Sequence, residues 1–221
     1  KDVGEILESA KDSGILTIDT AHCYGTSEEV LGKFDLEDFD VVTKTIKIDY
    51  TLDRHENFEK FKEAFFLSQK RLGYIQLHGL MFHESSDLLS EQGLALWDLV
   101  DDFKQKEYVR KIGVSVYTPE QLEEIIKRVD IDIVQLPLNI LDQRFVPLLP
   151  KLKEKNIEIH TRSTFLQGLL LMDAASINEY FNPIKPILEK LPEDRLATAI
   201  SFAKNIEEID KIVVGVTSKN E

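Results

Sequence analysis

Asp19, Lys44, His83, Ser115, Gln135 and Arg162 each close a short apolar run of the kind that forms a buried strand. Tyr24 lies five residues past Asp19, on the loop that follows the first of those runs. A single polar residue at a strand end is ordinarily just the start of a loop. A succession of them that includes an aspartate, a lysine and a histidine reads as one site. Two chemistries suit these residue types. Lys44, as a desolvated amine, could attack a carbonyl and form a Schiff base. Alternatively it stays charged, paired with Asp19, and lowers the pKa of the Tyr24 phenol, which starts near ~10, until the phenol is a usable acid near neutrality. His83 would then orient a substrate oxygen or relay the proton.

The elements that must position these residues alternate along the chain. Val3, Ile6, Leu7 and Ala10 share a helical face that Gly14 ends, and Ile15–Asp19 follows as a strand. Thr26-Ser27-Glu28-Glu29 has capping-box spacing and opens a short helix. Further strands are expected at Val41–Lys44, Gly79–His83, Lys111–Ser115, Ile133–Gln135, Ile157–His160 and Ile212–Gly215. Helices fall between them: one carries Phe58, Phe61, Phe65 and Leu72 and stops at Gly73, and one carries Leu94, Trp97, Leu99 and Phe103. Another opens at Pro119, and two more span Val146–Lys155 and Leu196–Asn205. Strands separated by helices imply parallel pairing through right-handed crossovers, with each strand covered on both faces. The first strand-to-helix turn lacks G-x-G-x-x-G, which favours a closed (β/α)8 barrel over an open dinucleotide fold. A barrel needs one more strand, expected upstream of Lys1, and a helix after the last strand. The whole of 1–221 is expected to be one domain. In such a barrel the C-terminal strand ends open on the active-site face.

Composition narrows the partners. With 27 Lys and Arg against 40 Asp and Glu, the net charge of −13 disfavours phosphate backbones and anionic membranes. The single cysteine, Cys23, cannot form an internal disulfide. No apolar run approaches the ~20 residues of a membrane span. A cytoplasmic protein with no nucleic-acid or membrane partner is expected, as a monomer or weak homo-oligomer.

The stretch from Gly14 through Asp19-Thr20-Ala21, Tyr24-Gly25, Ser27-Glu28 and Leu31-Gly32 resembles the signature of the aldo-keto reductase superfamily. Val42-Thr43-Lys44, Leu80-Met81-Phe82-His83, Ile112-Gly113-Val114-Ser115 and Ile133-Val134-Gln135 resemble its next strands in order. The resemblance implies a (β/α)8 barrel that binds NADPH, or less often NADH, and reduces a small aldehyde or ketone, sugar-derived ones included. It implies a tetrad of Asp19, Tyr24, Lys44 and His83, with Tyr24 protonating the alkoxide. It also implies that Ser115 and Gln135 hold the nicotinamide carboxamide and that Arg162 lies flat against the ring. Ser163, Phe165 and Leu166 would follow the pyrophosphate, and Gly215, Thr217 and Lys219 would reach the adenosine end. Val116 stands where many members carry an asparagine. Relatives that keep the pocket as a cofactor sensor make a binding protein the rival reading, beside the Schiff-base aldolase using Lys44.

Other residues invite plainer readings. His78 points opposite to His83 along one strand and is expected to pack or face a helix. His22 and Cys23 lack zinc-ligand spacing, and a loop histidine and a small buried thiol are expected instead. Asn139 is a candidate substrate-side contact.

Overall fold

The computed structural model describes residues 2–219, which fall into two compact units. The first runs to Val134 and includes the segment from Gly215 onward; the second is Gln135–Val214.

In the first unit, α1 (Asp2–Asp12), β1 (Thr17–Asp19), α2 (Ser27–Leu31), β2 (Asp40–Lys44), α3 (Arg54–Arg71), β3 (Leu77–Phe82), α4 (Glu91–Gln105), β4 (Val109–Ser115) and α5 (Pro119–Ile125) alternate as the hydrophobic pattern requires. β1 to β4 pair in chain order and in parallel, with Asp19 opposite Val42, Lys44 opposite Met81 and Phe82 opposite Val114. One face of these strands meets α3 and α4. There Phe61 and Trp97 lie against Phe82, at 5.9 and 6.0 Å between ring centroids, and Phe65 stacks on Phe103 at 3.9 Å. On the other face Val42, Met81 and the first residue of the next strand, Ile133, are fully buried together. Because side chains alternate along a strand, Lys44, two residues past Val42, and His83, two past Met81, belong to that same inner face. The inner face is tight: a Cβ at Gly113 would stand 1.7 Å from the Ile133 carbonyl oxygen. Only glycine fits there.

The outermost elements are less covered than their apolar sequences suggest. β1 is half-buried along its length, and Ile15 and Leu16, expected inside the strand, precede it and are 60% and 41% exposed. Among the described residues of this unit β1 hydrogen-bonds to β2 only. The capping box expected at Thr26 does not form. Thr26 makes no side-chain cap, and Glu29, which would close the box, pairs with Arg71 Nε at 3.2 Å. The box occurs instead at the start of α3, between Asp53 and Glu56. Gly14 and Gly73 take left-handed φ values of 73° and 80° and end α1 and α3. Thr118 caps α5 ahead of Pro119.

The second unit holds most of β5 (Ile133–Pro137), then α6 (Leu149–Glu154), β6 (Glu158–Arg162), α7 (Lys185–Leu188), α8 (Arg195–Lys204) and β7 (Lys211–Ile212). β6 and β7 are parallel, with His160 opposite Lys211, and the chain leaving β5 stays beside β6 through Leu138 N–H donating to Arg162 O at 3.1 Å. Its core is Leu136, Phe145, Leu149, Leu152, Ile157 and Ile159. A satellite cluster of Leu169, Leu170, Ala174, Ile177 and Leu188 packs beneath the long connection after β6. The helix expected over Val146–Lys155 is divided, with a 3-10 turn at Val146–Leu148 before α6. Pro150 has no N–H to donate back to Val146, so it is tolerated only in the first turn of α6.

Candidate active site

Asp19 and Lys44 are the last residues of neighbouring strands, yet the register sets Asp19 opposite Val42. The lysine side chain therefore reaches back across the pair. Its Nζ donates to Asp19 Oδ1 at 2.6 Å and to the Thr20 carbonyl at 2.9 Å. Lys44 is 1% exposed, and an ammonium so deeply buried persists only with such compensation. The same Nζ lies 5.2 Å from the centroid of the Tyr24 ring.

The loop after β1 brings Tyr24 there. Thr20 N–H donates to Val42 O at 2.8 Å and His22 N–H to Lys44 O at 3.3 Å, so the backbone follows β2 before turning at Tyr24. Three consecutive side chains then part, His22 to one side and Cys23 and Tyr24 to His83. His22 turns toward α3, its Nδ1 2.9 Å from Ser68 Oγ. Burial pushes the His22 imidazole below its ordinary pKa, with Glu28 raising it and Arg71 lowering it by lesser amounts. Cys23 Sγ lies 3.2 Å from His83 Nδ1. Tyr24, 47% exposed, meets His83 edge-on, at 5.7 Å between centroids and 82° between planes. Cys23 is thus not the small buried thiol expected from its type. The turn carries it to the surface, where with His83, Thr45, Ile46 and Tyr117 it lines an open cleft.

Behind the loop, Thr43 Oγ1 donates to Glu28 Oε1 at 2.7 Å, and Arg71 Nη1 stands 3.6 Å from Glu28 Oε2. Glu28 is 2% exposed and ties α2 to β2. Gly32, at the end of α2, allows this close approach to α3: a Cβ would fall 1.8 Å from Arg71 O.

The remaining candidates are distributed as follows. Ser115, the last residue of β4, is buried, as is Val116 after it. Gln135 is buried too, but it lies inside β5 rather than at its end, because that strand runs on to Pro137. In the second unit Arg162 Nη1 donates to Ser163 Oγ at 3.3 Å. Ser163 and Leu166 take left-handed φ values of 62° and 48°, unusual for residues bearing a Cβ, and Phe165 lies half-buried between them. Thr164 Oγ1 in the same turn is buried and has no hydrogen-bond partner among the described residues. Gly215 and Thr217 are exposed, and Lys219 pairs with Glu5 at 3.2 Å on the surface.

One expectation is corrected here. Asn139 is 1% exposed and spends its amide on the chain itself: Nδ2 donates to Ser163 O at 3.0 Å, and Oδ1 accepts from the N–H groups of Leu141 and Asp142. It braces the turn after β6 and cannot serve a substrate. His78 is largely buried, with its Nδ1 3.3 Å from Asp40 Oδ1 on the adjacent strand. The contacts of Cys23 and of Glu28 were missed, because nothing in a run of residue types says which way successive loop side chains turn.

Strand-end side chains of this kind on a parallel β/α scaffold define a class, and the comparisons agree on it. The Aldo/keto reductase family pattern matches residues 1–218, and the chain belongs to that family. It is 29% identical over 178 residues to the aldo-keto reductase YhdN of Bacillus subtilis (strain 168), covering 75% of this chain and 53% of that one. It is 33% identical over 137 residues to the chloroplastic pyridoxal reductase of Arabidopsis thaliana, covering 55% and 36%. The chain spans about half the length, or less, of the curated relatives it matches. Among solved structures, the holo form of the aldo-keto reductase AKR11C1 from Bacillus halodurans superposes with a TM-score of 0.79 at 22% identity, over 98% of this chain and 77% of that one. That likeness shows the fold, a parallel β/α arrangement of the (β/α)8-barrel type, with seven strands among the described residues. Among the described residues no helix is long and apolar enough to cross a membrane.

Proposed function

We propose that this chain carries the catalytic centre of an NADPH-dependent oxidoreductase that reduces an aldehyde or ketone, sugar-derived carbonyls included, with Tyr24 as general acid. The observation that carries the reading is the Lys44 ammonium, held by Asp19 at 2.6 Å and lying 5.2 Å from the Tyr24 ring. A fixed positive charge beside a phenol stabilises its anion, so the Oη proton becomes easier to give up. When bound, a reduced nicotinamide supplies the hydride. Tyr24 then delivers its proton to the carbonyl oxygen, His83 holds that oxygen, and Asp19 keeps Lys44 charged and in place.

The residues after β6 suit a dinucleotide. A cation at Arg162, a hydroxyl at Ser163, the unsatisfied buried hydroxyl of Thr164 and the left-handed backbone at Ser163 and Leu166 make a polar turn with capacity for a phosphate group. Within the proposal, Ser115 and Gln135 take the carboxamide, Arg162 the ring, and Ser163, Phe165 and Leu166 the pyrophosphate. Gly215, Thr217 and Lys219 take the adenosine end. The enzyme is proposed to be cytoplasmic, a monomer or weak homo-oligomer, with a small-molecule substrate and no nucleic-acid partner. The ion pair and the Thr20 carbonyl both favour a protonated Lys44, which speaks against amine attack on a carbonyl.

The test is a fluorescence titration with NADPH and NADH, followed by NADPH oxidation with a generic aldehyde. Saturable binding and Tyr24-dependent oxidation are expected. Failure to bind either nucleotide, or borohydride trapping of a carbonyl on Lys44, would overturn the reading.

A further inference from the structure

We infer that Cys23 is a positioning residue that fixes the tautomer and ring orientation of His83, an inference that rests on the reductase reading above. Sγ and Nδ1 are 3.2 Å apart, close for a contact involving sulfur. A thiol carries one proton and its sulfur accepts poorly, so the favourable arrangement has S–H donating to Nδ1. A neutral imidazole whose Nδ1 accepts carries its own proton on Nε2. This matters because a carbonyl oxygen has no proton to give, so the imidazole can hold it only through an N–H. The other tautomer would turn a lone pair toward that oxygen.

The ring is held on a second side. Tyr24, the next residue in the chain, packs edge-on against His83 at 5.7 Å and 82°, so a ring flip would have to break both contacts. One short loop thus supplies the general acid and sets the proton position of the group proposed to hold the substrate. Cys23 and His83 line the same open cleft with Thr45, Ile46 and Tyr117, so the contact lies where a small carbonyl compound would enter.

The experiment uses the full chain labelled with ¹⁵N, reading the tautomer of His83 from long-range ¹H–¹⁵N correlations assigned by difference with His83→Gln. The parent protein is expected to show the Nε2–H pattern. Cys23→Ser, which keeps a donor, should retain it; Cys23→Ala should show exchange between tautomers. In kinetics, Cys23→Ala should raise KM for the carbonyl roughly fivefold, the size of one hydrogen bond, with NADPH affinity unchanged, and Cys23→Ser should restore it. A parent His83 protonated on Nδ1, or a Cys23→Ala variant with an unaltered tautomer, overturns the inference. If the tautomer shifts as expected while no variant or parent oxidises NADPH with any carbonyl, the reductase reading fails and the control of His83 by Cys23 stands.

Discussion

Asp19 and Lys44 meet side chain to side chain at 2.6 Å although their backbones are two residues out of register, Asp19 standing opposite Val42. The long lysine side chain spans that offset along the inner face. The ammonium ends beside the phenol ring of Tyr24, buried, while the ring itself is half exposed.

Removing the phenol oxygen should stop chemistry and little else. Tyr24→Phe keeps the ring against His83 and Lys44 but has no proton to give. Turnover should fall by roughly 10²–10⁴, the usual worth of a general acid. NADPH affinity, followed by fluorescence, should stay within about twofold.

Breaking the ion pair should cost stability in a way that depends on which partner is lost. Asp19→Asn leaves the buried Lys44 ammonium with a neutral neighbour, and urea unfolding should show a loss of about 3 kcal/mol, the lower end for breaking a buried pair. Lys44→Met removes the buried charge itself, leaving only the partly solvated Asp19 carboxylate. It should unfold at a higher urea midpoint than Asp19→Asn while losing turnover as completely as Tyr24→Phe. Equal midpoints would mean that the burial of Lys44 is not the costly element.

The Glu28 tie offers a control outside the chemistry. Thr43→Val deletes the hydroxyl that donates to Glu28 Oε1 and leaves that buried oxygen unsatisfied. A destabilisation of about 1–3 kcal/mol is expected in chemical denaturation, with kcat for a generic aldehyde preserved at low temperature. Thr43→Ser should recover most of the loss.

The pH dependence of the Tyr24 loop should follow His22. Its folded pKa lies below the unfolded value, chiefly through burial. A depressed group contributes stability that is present above its unfolded pKa, near ~6.5 for histidine, and is lost as pH falls through the folded pKa. His22→Gln keeps a polar contact for Ser68 without a titrating ring. Its thermal unfolding should therefore be less sensitive to acidification over this window than the parent's.

The alternation of strand and helix, and the order of the strand-end residues, are written in the sequence because burial on one face imposes a period on it. Val42 and Lys44, or Met81 and His83, share a parity that any strand must respect, so their common face is legible before any coordinates. Proline rules likewise foretold the start of α5 and, read more strictly, would have broken the helix at Pro150. Tertiary structure decided what depends on contacts far apart in the chain. Thr26 lost its capping box because Glu29 found Arg71, and Ile15 and Leu16 stayed exposed because β1 has one strand partner among the described residues of its unit. Asn139, polar and next to a strand end, looks like a ligand-facing residue in sequence; the turn after β6 takes its Nδ2 and the turn after β5 its Oδ1. The pairing of Cys23 with His83 is of the same kind. Loop side chains carry no periodicity, so their directions are fixed only when the backbone turn at Tyr24 meets the end of β3.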